Sequence, residues 1–240
     1  LGGEFFELGI RSDGGFGADA SSTSFFGSSR GDIGMYADID GFNNATNDAR
    51  YDYFLPGTPE ERWSAGYNAG SGNNSASNGN SPGTKIPTDT ITDVSTDTEA
   101  AVEINSNYDN KLDINQTYSF NPQNRYFRTT VEITNVAGQS LDHVRYQRSF
   151  DPDNGKDEGC DYETNNTVVN QQPSDGEALV QAALKDSESC SLADDSDIPI
   201  FYYSQDSSAR VSRGGSGSGL TPRPVVYAPR DYENAPSAGT

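Results

Sequence analysis

Between Lys111 and Asn135 the chain alternates apolar and polar residues with a period of two, and that alternation constrains the fold more than any other feature. Within Lys111–Phe120, Leu112, Ile114, Tyr118 and Phe120 fall on one parity. A strand turns successive side chains to opposite faces, so these four line one face. Tyr126–Asn135 repeats the pattern: Tyr126, Arg128 and Thr130 oppose Phe127, Thr129, Val131 and Ile133, in a run dense with β-branched residues. Ala101–Ile104, Leu141–Phe150, Ile198–Ser204 and Pro224–Ala228 read as further strands, with Ala137-Gly138-Gln139-Ser140 as a hairpin-length connection into Leu141–Phe150. Only Glu177–Lys185 offers a helical option, and it fits the strand period equally well. Residues 1–67 interleave aromatics with turn signals such as Asp13-Gly14-Gly15 and Asp40-Gly41, which predicts short strands and tight turns. The expected fold is an all-β antiparallel sandwich with long Gly/Asn/Ser-rich loops and little helix.

A chain of 240 residues has room for one large β domain or two small ones. One ligand-binding domain over 1–229 is expected, followed by a flexible tail over 230–240. The low-complexity polar tract 68–84 (Asn-Ala-Gly-Ser-Gly-Asn-Asn-Ser-Ala-Ser-Asn-Gly-Asn-Ser-Pro-Gly-Thr) lacks an apolar face to bury and is expected to be a mobile excursion. The formal charge is −20, from 36 acidic against 16 basic residues, only four of them lysine. Such a field argues against nucleic acid and anionic membrane as partners, and suits cations or a saline medium. No apolar run reaches the roughly 18 residues of a membrane span. Leu1 is not followed by a charged-then-apolar leader, so the chain is expected to be a monomeric module of a longer protein.

The chemistry concentrates in Asp151-Pro-Asp-Asn-Gly-Lys-Asp-Glu-Gly-Cys-Asp-Tyr-Glu163, where six carboxylates crowd a turn-rich loop directly after a strand. Unneutralised, these charges repel one another, and a hard cation bound by oxygens is the simplest remedy. Calcium is the expected ion, with Asp151, Asp153, Asp157, Asp161 and Glu163 as candidate ligands. The first three are spaced nearly as in an EF-hand, with Gly155 free for the tight turn, but position twelve is Tyr162 and no flanking helices are visible. A calcium-binding β-loop is therefore expected; the alternative is a solvated acidic loop. Asp38 and Asp40, with Asp48 and Asp52 close behind, form a second candidate metal site, although Asp-Gly is also an ordinary turn. Asp194, Asp195 and Asp197 read as solvated loop.

Cys160 and Cys190 are the only cysteines. In a secreted protein exposed thiols are disfavoured, so a disulfide is expected, worth roughly 3–4 kcal/mol on the chain-entropy view. Arg145 and Arg148 lie three apart on one strand and point to opposite faces, so one of them can pair with a carboxylate near the loop. Arg148, Asn165 and Asn166 join Asp151 and Asp153 as candidate ligand-binding residues. Tyr146, Tyr202, Tyr203 and the Trp63–Tyr67 pair are candidates for stacking on a sugar or receiving a peptide side chain, against the commoner role of core. Catalytic patterns are absent: His143 is the only histidine, reads as mid-strand and structural, and accompanies no nucleophile motif. A non-enzymatic role is expected.

Two segments, Tyr51–Asn68 (YDYFLPGTPEERWSAGYN) and Val131–Asn154 (VEITNVAGQSLDHVRYQRSFDPDN), together about a sixth of the chain, resemble modules of the large RTX adhesins secreted by Gram-negative, often marine, bacteria. The resemblance is to their calcium-dependent peptide-binding domain. It implies an extracellular, cell-surface β-sandwich in which bound calcium helps hold a peptide or protein end from another cell, with Asp151 and Asp153 as the matching contact positions. Cys160 and Cys190 are not part of that pattern. The competing readings are a calcium-dependent carbohydrate-binding module, a polysaccharide-active β-sandwich enzyme needing tyrosine, arginine or His143 convergent in a cleft, and a structural spacer.

Overall fold

A computed structural model describes residues 1–19, 24, 32–38, 40–44, 50–54, 61–79, 84–152, 164–184 and 199–212. The elements in chain order are β1 (Phe6–Leu8), β2 (Ala18–Asp19), β3 (Asp32–Ile33), β4 (Met35–Asp38), β5 (Arg50–Asp52), β6 (Glu61–Asn68), β7 (Asn73–Gly79), β8 (Thr88–Asp93), β9 (Ala100–Tyr108), β10 (Leu112–Phe120), β11 (Arg128–Asn135), β12 (Asp142–Phe150), β13 (Thr164–Asn170), β14 (Ala178–Leu184) and β15 (Ile200–Ser204). All are strands, and every pairing among them is antiparallel. The all-β expectation holds, and Ala178–Leu184 of the ambiguous run is strand β14. The predicted strand Pro224–Ala228 and the tail 230–240 lie outside the described residues.

Three larger sheets carry the structure, ordered β11-β10-β9-β8, β12-β6-β7 and β13-β14-β15, with β1-β4-β5 as a smaller one and β2-β3 as a ribbon. The parity read from Lys111–Phe120 is the parity of burial: Leu112, Ile114, Gln116, Tyr118 and Phe120 are each no more than 3% exposed. Their face packs on β6 and β7. Trp63, Ala65, Tyr67 and Ala76 meet Ile86, Tyr108, Leu112 and Ile114 in one apolar cluster. A second cluster gathers Phe6, Leu8, Phe16, Phe54, Ile104, Tyr118, Phe120 and Ile200, so β1 and β15 close on the same sheet. Burying each such aliphatic or aromatic side chain contributes about 1.5–3 kcal/mol.

Two expectations fail in an informative way. The connection Ala137–Ser140 is of hairpin length, yet β11 and β12 do not pair. β12 pairs with β6 instead, Arg148 opposite Trp63 and Phe150 opposite Glu61, so the connection carries the chain from one sheet to the other. The tract 68–84 does not simply leave the surface. It supplies β7, in register with β6 from Arg62↔Gly79 to Asn68↔Asn73. Polar side chains do here what apolar ones do elsewhere. The Asn78 amide is fully buried and donates to the Ile86 carbonyl at 2.8 Å, while its oxygen accepts the Ile86 N–H at 2.8 Å. That reciprocal pair imitates a rung of backbone ladder. Ser64 and Ser77 hydrogen-bond directly across the strands at 2.7 Å. With every group satisfied, a strand of Asn, Ser and Gly can be buried without an apolar stripe.

Candidate functional site

Between the two apolar clusters runs a buried polar belt, and Arg148 is its centre. Parity places Arg148, Tyr146 and Phe150 on the face of β12 that looks at β10, opposite Trp63, Ala65 and Glu61 of β6. The Arg148 Nε lies 2.8 Å from Glu61 Oε1, with side-chain exposures of 9% and 2%. The contact is an ion pair rather than an aligned hydrogen bond. The other Glu61 oxygen accepts the Phe16 N–H at 2.8 Å. The guanidinium donates to the Gly14 carbonyl at 3.0 Å and to the Tyr118 hydroxyl, and its plane lies 4.5 Å from the Phe16 ring centre. Tyr118 donates to Gly14 O at 2.7 Å, and Tyr146 to Gln116 Oε1 at 2.7 Å. Tyr202 enters from β15, its ring edge-on to Phe150 at 4.7 Å.

The Asp13-Gly14-Gly15 turn holds the belt from the N-terminal side. Trp63 Nε1 donates to Asp13 O at 2.7 Å, and the Asp13 carboxylate accepts the amides of Gly15 and Gly79, each at 3.1 Å. Gly14 sits at φ +79°, and a Cβ there would stand 2.9 Å from Trp63 Nε1 and 3.0 Å from Gln116 Nε2. Only glycine lets the chain pass so close at that backbone angle.

Electrostatics suit this belt to cohesion rather than proton transfer. Burial pushes the Glu61 carboxyl above its ordinary value, opposed by the Arg148 charge and the Phe16 amide. Burial would lower Arg148, but Glu61 and the surrounding tyrosines more than offset it and hold the guanidinium charged. Burial raises all three phenols; Tyr146 is pushed up to about 12, and Tyr118 and Tyr202 also move upward. A tyrosine acting as a base needs the opposite shift. The convergence of tyrosine and arginine that a polysaccharide-active enzyme would require is present, but it lies inside the core and not in a cleft.

The acidic run of the sequence begins at the end of this anchored strand. Asp151 follows Phe150 immediately and is half-buried, and Pro152 is buried. Asp153, Asp157, Asp161 and Glu163 lie outside the described residues, as do Cys160, Cys190, Asp48, Asp194, Asp195 and Asp197. The next described residue is Thr164, which opens β13, and β12 and β13 belong to different sheets. Asn165 and Asn166 occupy opposite faces of β13. Asn166 is on the inner side opposite Ala182, with its amide donating to Thr164 Oγ1 at 3.2 Å, and Asn165 is exposed. They do not act as one donor pair.

The second acidic cluster is engaged by neighbouring amides. Asp38, 2% exposed, accepts the Gly41 N–H at 3.1 Å, and Asp40 accepts from the Asn44 side-chain amide. Asp52, also buried, receives the amides of Gly34 at 2.7 Å and Phe54 at 2.9 Å. Among the described residues no three His, Cys, Asp or Glu side chains converge as a metal-binding group.

Arg148 does pair with a carboxylate, as its position near the loop led one to expect, but the partner is Glu61 on the neighbouring strand. It is thus committed to the core and is not offered to a ligand. Arg145 is the exposed member of the two. His143 lies within β12 as expected, at a bulge between Asp142 and Arg145 with φ +52°, and it is exposed. Of the aromatics proposed for stacking, Trp63, Tyr67, Tyr146 and Tyr202 face inward, while Tyr203 is 52% exposed beside Phe201 at 49%. Glu61 was missed as a functional position. Its signal was a charged residue on the same parity as Trp63, Ala65 and Tyr67. No family model matches the chain, and neither does any curated protein or solved structure.

Proposed function

We propose that this chain is a non-enzymatic, calcium-dependent ligand-binding module of a bacterial cell-surface adhesin, holding a peptide or protein chain end from another cell. The observation that carries the reading is the six-carboxylate run Asp151–Glu163 of the sequence, which begins where β12 ends and precedes β13. A loop on a strand pinned by a buried ion pair has a rigid root, and binding sites are commonly built on loops so supported. Calcium would take its oxygens from Asp151, Asp153, Asp157, Asp161 and Glu163. A cation left partly open by the protein attracts an anionic ligand group such as a terminal carboxylate.

The test is thermal unfolding in calcium and in chelator, together with peptide and glycan arrays. A calcium-binding native state melts higher by mass action, by about 2.7 kcal/mol of added stability at a hundred-fold excess over Kd. An unchanged melting temperature removes the calcium reading. Peptide binding that survives Asp151→Ala and Asp153→Ala unaltered removes the loop as the site. The carbohydrate reading is favoured by one observation, the exposed pair Phe201 and Tyr203 on β15, and glycan capture abolished by Tyr203→Ala would establish it.

A further inference from the structure

Strand β8 is one of the two edges of its sheet, β11 being the other. It pairs with β9 on one side and ends the order β11-β10-β9-β8 on the other. From Asp89 to Asp93 every residue is exposed, on both faces. Ile91 lies opposite Ile104, which is fully buried, yet Ile91 itself is 50% exposed. The strand borders an open cleft lined by Asp13, Asn78, Lys85, Ile86, Thr88 and Ile91. Backbone alternation fixes which groups are spare. The Val94 N–H donates to Ala101 O, so the even-numbered residues turn their polar groups to β9, while the N–H and C=O of Ile91 and Asp93 point away from it.

We propose that β8 is a docking edge for an extended, basic polypeptide segment, which adds as an antiparallel strand and sets an apolar side chain against Ile91. Charge selects this occupant. Asp89 and Asp93 flank Ile91, Glu103 lies across from Thr92, and Asp13 borders the cleft. Among the described residues the cations nearby are Lys85, engaged with the Gly79 carbonyl at 2.7 Å, Arg11, 3.8 Å from Asp13, and the Leu1 ammonium, which acts on Asp93 and donates to the Leu8 carbonyl. Asp89 and Glu103 therefore carry most of the selecting charge. A second copy of this chain is a poor occupant. Antiparallel self-pairing about Ile91 brings Asp93 opposite the other copy's Asp89, and directly opposed like charges destabilise. An added strand with lysines flanking a central valine meets the same positions with opposite charge, and main-chain hydrogen bonds provide the rest. The contact goes beyond the calcium-loop reading and does not depend on it.

The experiment is isothermal titration calorimetry of the whole chain with the peptide acetyl-Thr-Lys-Thr-Val-Thr-Lys-Thr-amide, whose capped ends leave no terminal carboxylate for a calcium site. Its analogue with glutamates in place of lysines is the control. Binding of the lysine peptide is expected in calcium and in chelator alike, with the glutamate peptide silent. Ile91→Pro removes an N–H that β9 does not use, which an edge strand tolerates, and weakens binding about tenfold. Asp93→Asn keeps the hydrogen-bond acceptor to Ser95, loses the charge and weakens binding about threefold. Should Ile91→Pro fail to fold by circular dichroism, Asp93→Asn and the two-peptide comparison still decide. Equal affinity for both peptides, no binding at millimolar peptide, or binding indifferent to Ile91→Pro and Asp93→Asn overturns the proposal. Binding abolished by chelator in a folded protein assigns the peptide to the loop and overturns it as well. So does concentration-dependent dimerisation in sedimentation that Ile91→Pro abolishes.

Discussion

Arg148→Ala tests the polar belt most directly. The substitution removes the cation paired with Glu61 and takes away donors to Gly14 O and Tyr118. Glu61 then stays buried at 2% exposure, with the Phe16 amide still donating to it. Leaving one member of a buried pair behind costs about 3–5 kcal/mol, far more than the net worth of the pair itself. For a domain of this size that is a fall in melting temperature of roughly 6–20 °C. The pH dependence carries a definite sign. Burial already raises the Glu61 carboxyl, and removing Arg148 removes the charge that opposes the rise. The folded variant then binds a proton more tightly than the unfolded chain does. Its stability is fullest below the ordinary glutamate value and falls as pH rises through the folded one. Urea unfolding in constant calcium should therefore show the deficit shrinking between about pH 7 and about pH 5. Glu61→Gln in the Arg148→Ala background, which has no buried charge, should recover most of the loss. A deficit below about 1 kcal/mol, or one indifferent to both pH and Glu61→Gln, would refute the account of the belt.

Two further outcomes are expected. Gly14→Ala puts a Cβ 2.9 Å from Trp63 Nε1 at φ +79° and should cost about 1–3 kcal/mol in urea unfolding; a neutral result would show that the Asp13–Gly15 turn shifts freely. On the surface, hydrogen bonds from Lys111 and then Tyr67 hold the Asp109 carboxyl below its ordinary value. Its contribution is therefore complete above the ordinary aspartate range and fades as pH falls through the lowered value, so Asp109→Asn should flatten the acid limb of the stability profile. An NMR titration that leaves Asp109 at its ordinary value would contradict this.

Much of the fold was legible where burial and period coincide. Leu112, Ile114, Tyr118 and Phe120 announced β10 because a strand with one buried face must alternate. β7 was illegible for the converse reason. Asn78 and Ser77 are buried by hydrogen bonds to Ile86 and Ser64, and a composition rule that reads Asn, Ser and Gly as loop has no access to those partners. The belt was half legible. Arg148 was expected to meet a carboxylate, but the short Ala137–Ser140 connection suggested pairing with β11 and hid β6, where the carboxylate lies. Asp38 and Asp40 were read as cation ligands from spacing alone. They accept hydrogen bonds from the Gly41 backbone and the Asn44 side-chain amide, and one-dimensional spacing does not report such amides.

The pairing of β12 with β6 has a consequence for how the chain is made. Glu61 waits for Phe150, and Arg62 for Ser149, across a separation of more than a third of the sequence. Closing so long a loop before any of its contacts form is slow, and topologies dominated by such pairings fold late. Until Asp142–Phe150 has emerged during synthesis, β6 has only β7 beside it and an open edge carrying Trp63 and Tyr67. An uncovered edge of that kind is the sort that recruits other strands. Fragments ending before residue 142 should accumulate as aggregates, and fragments ending after residue 150 should not. The order of synthesis thus makes the second half of the chain a chaperone for the first.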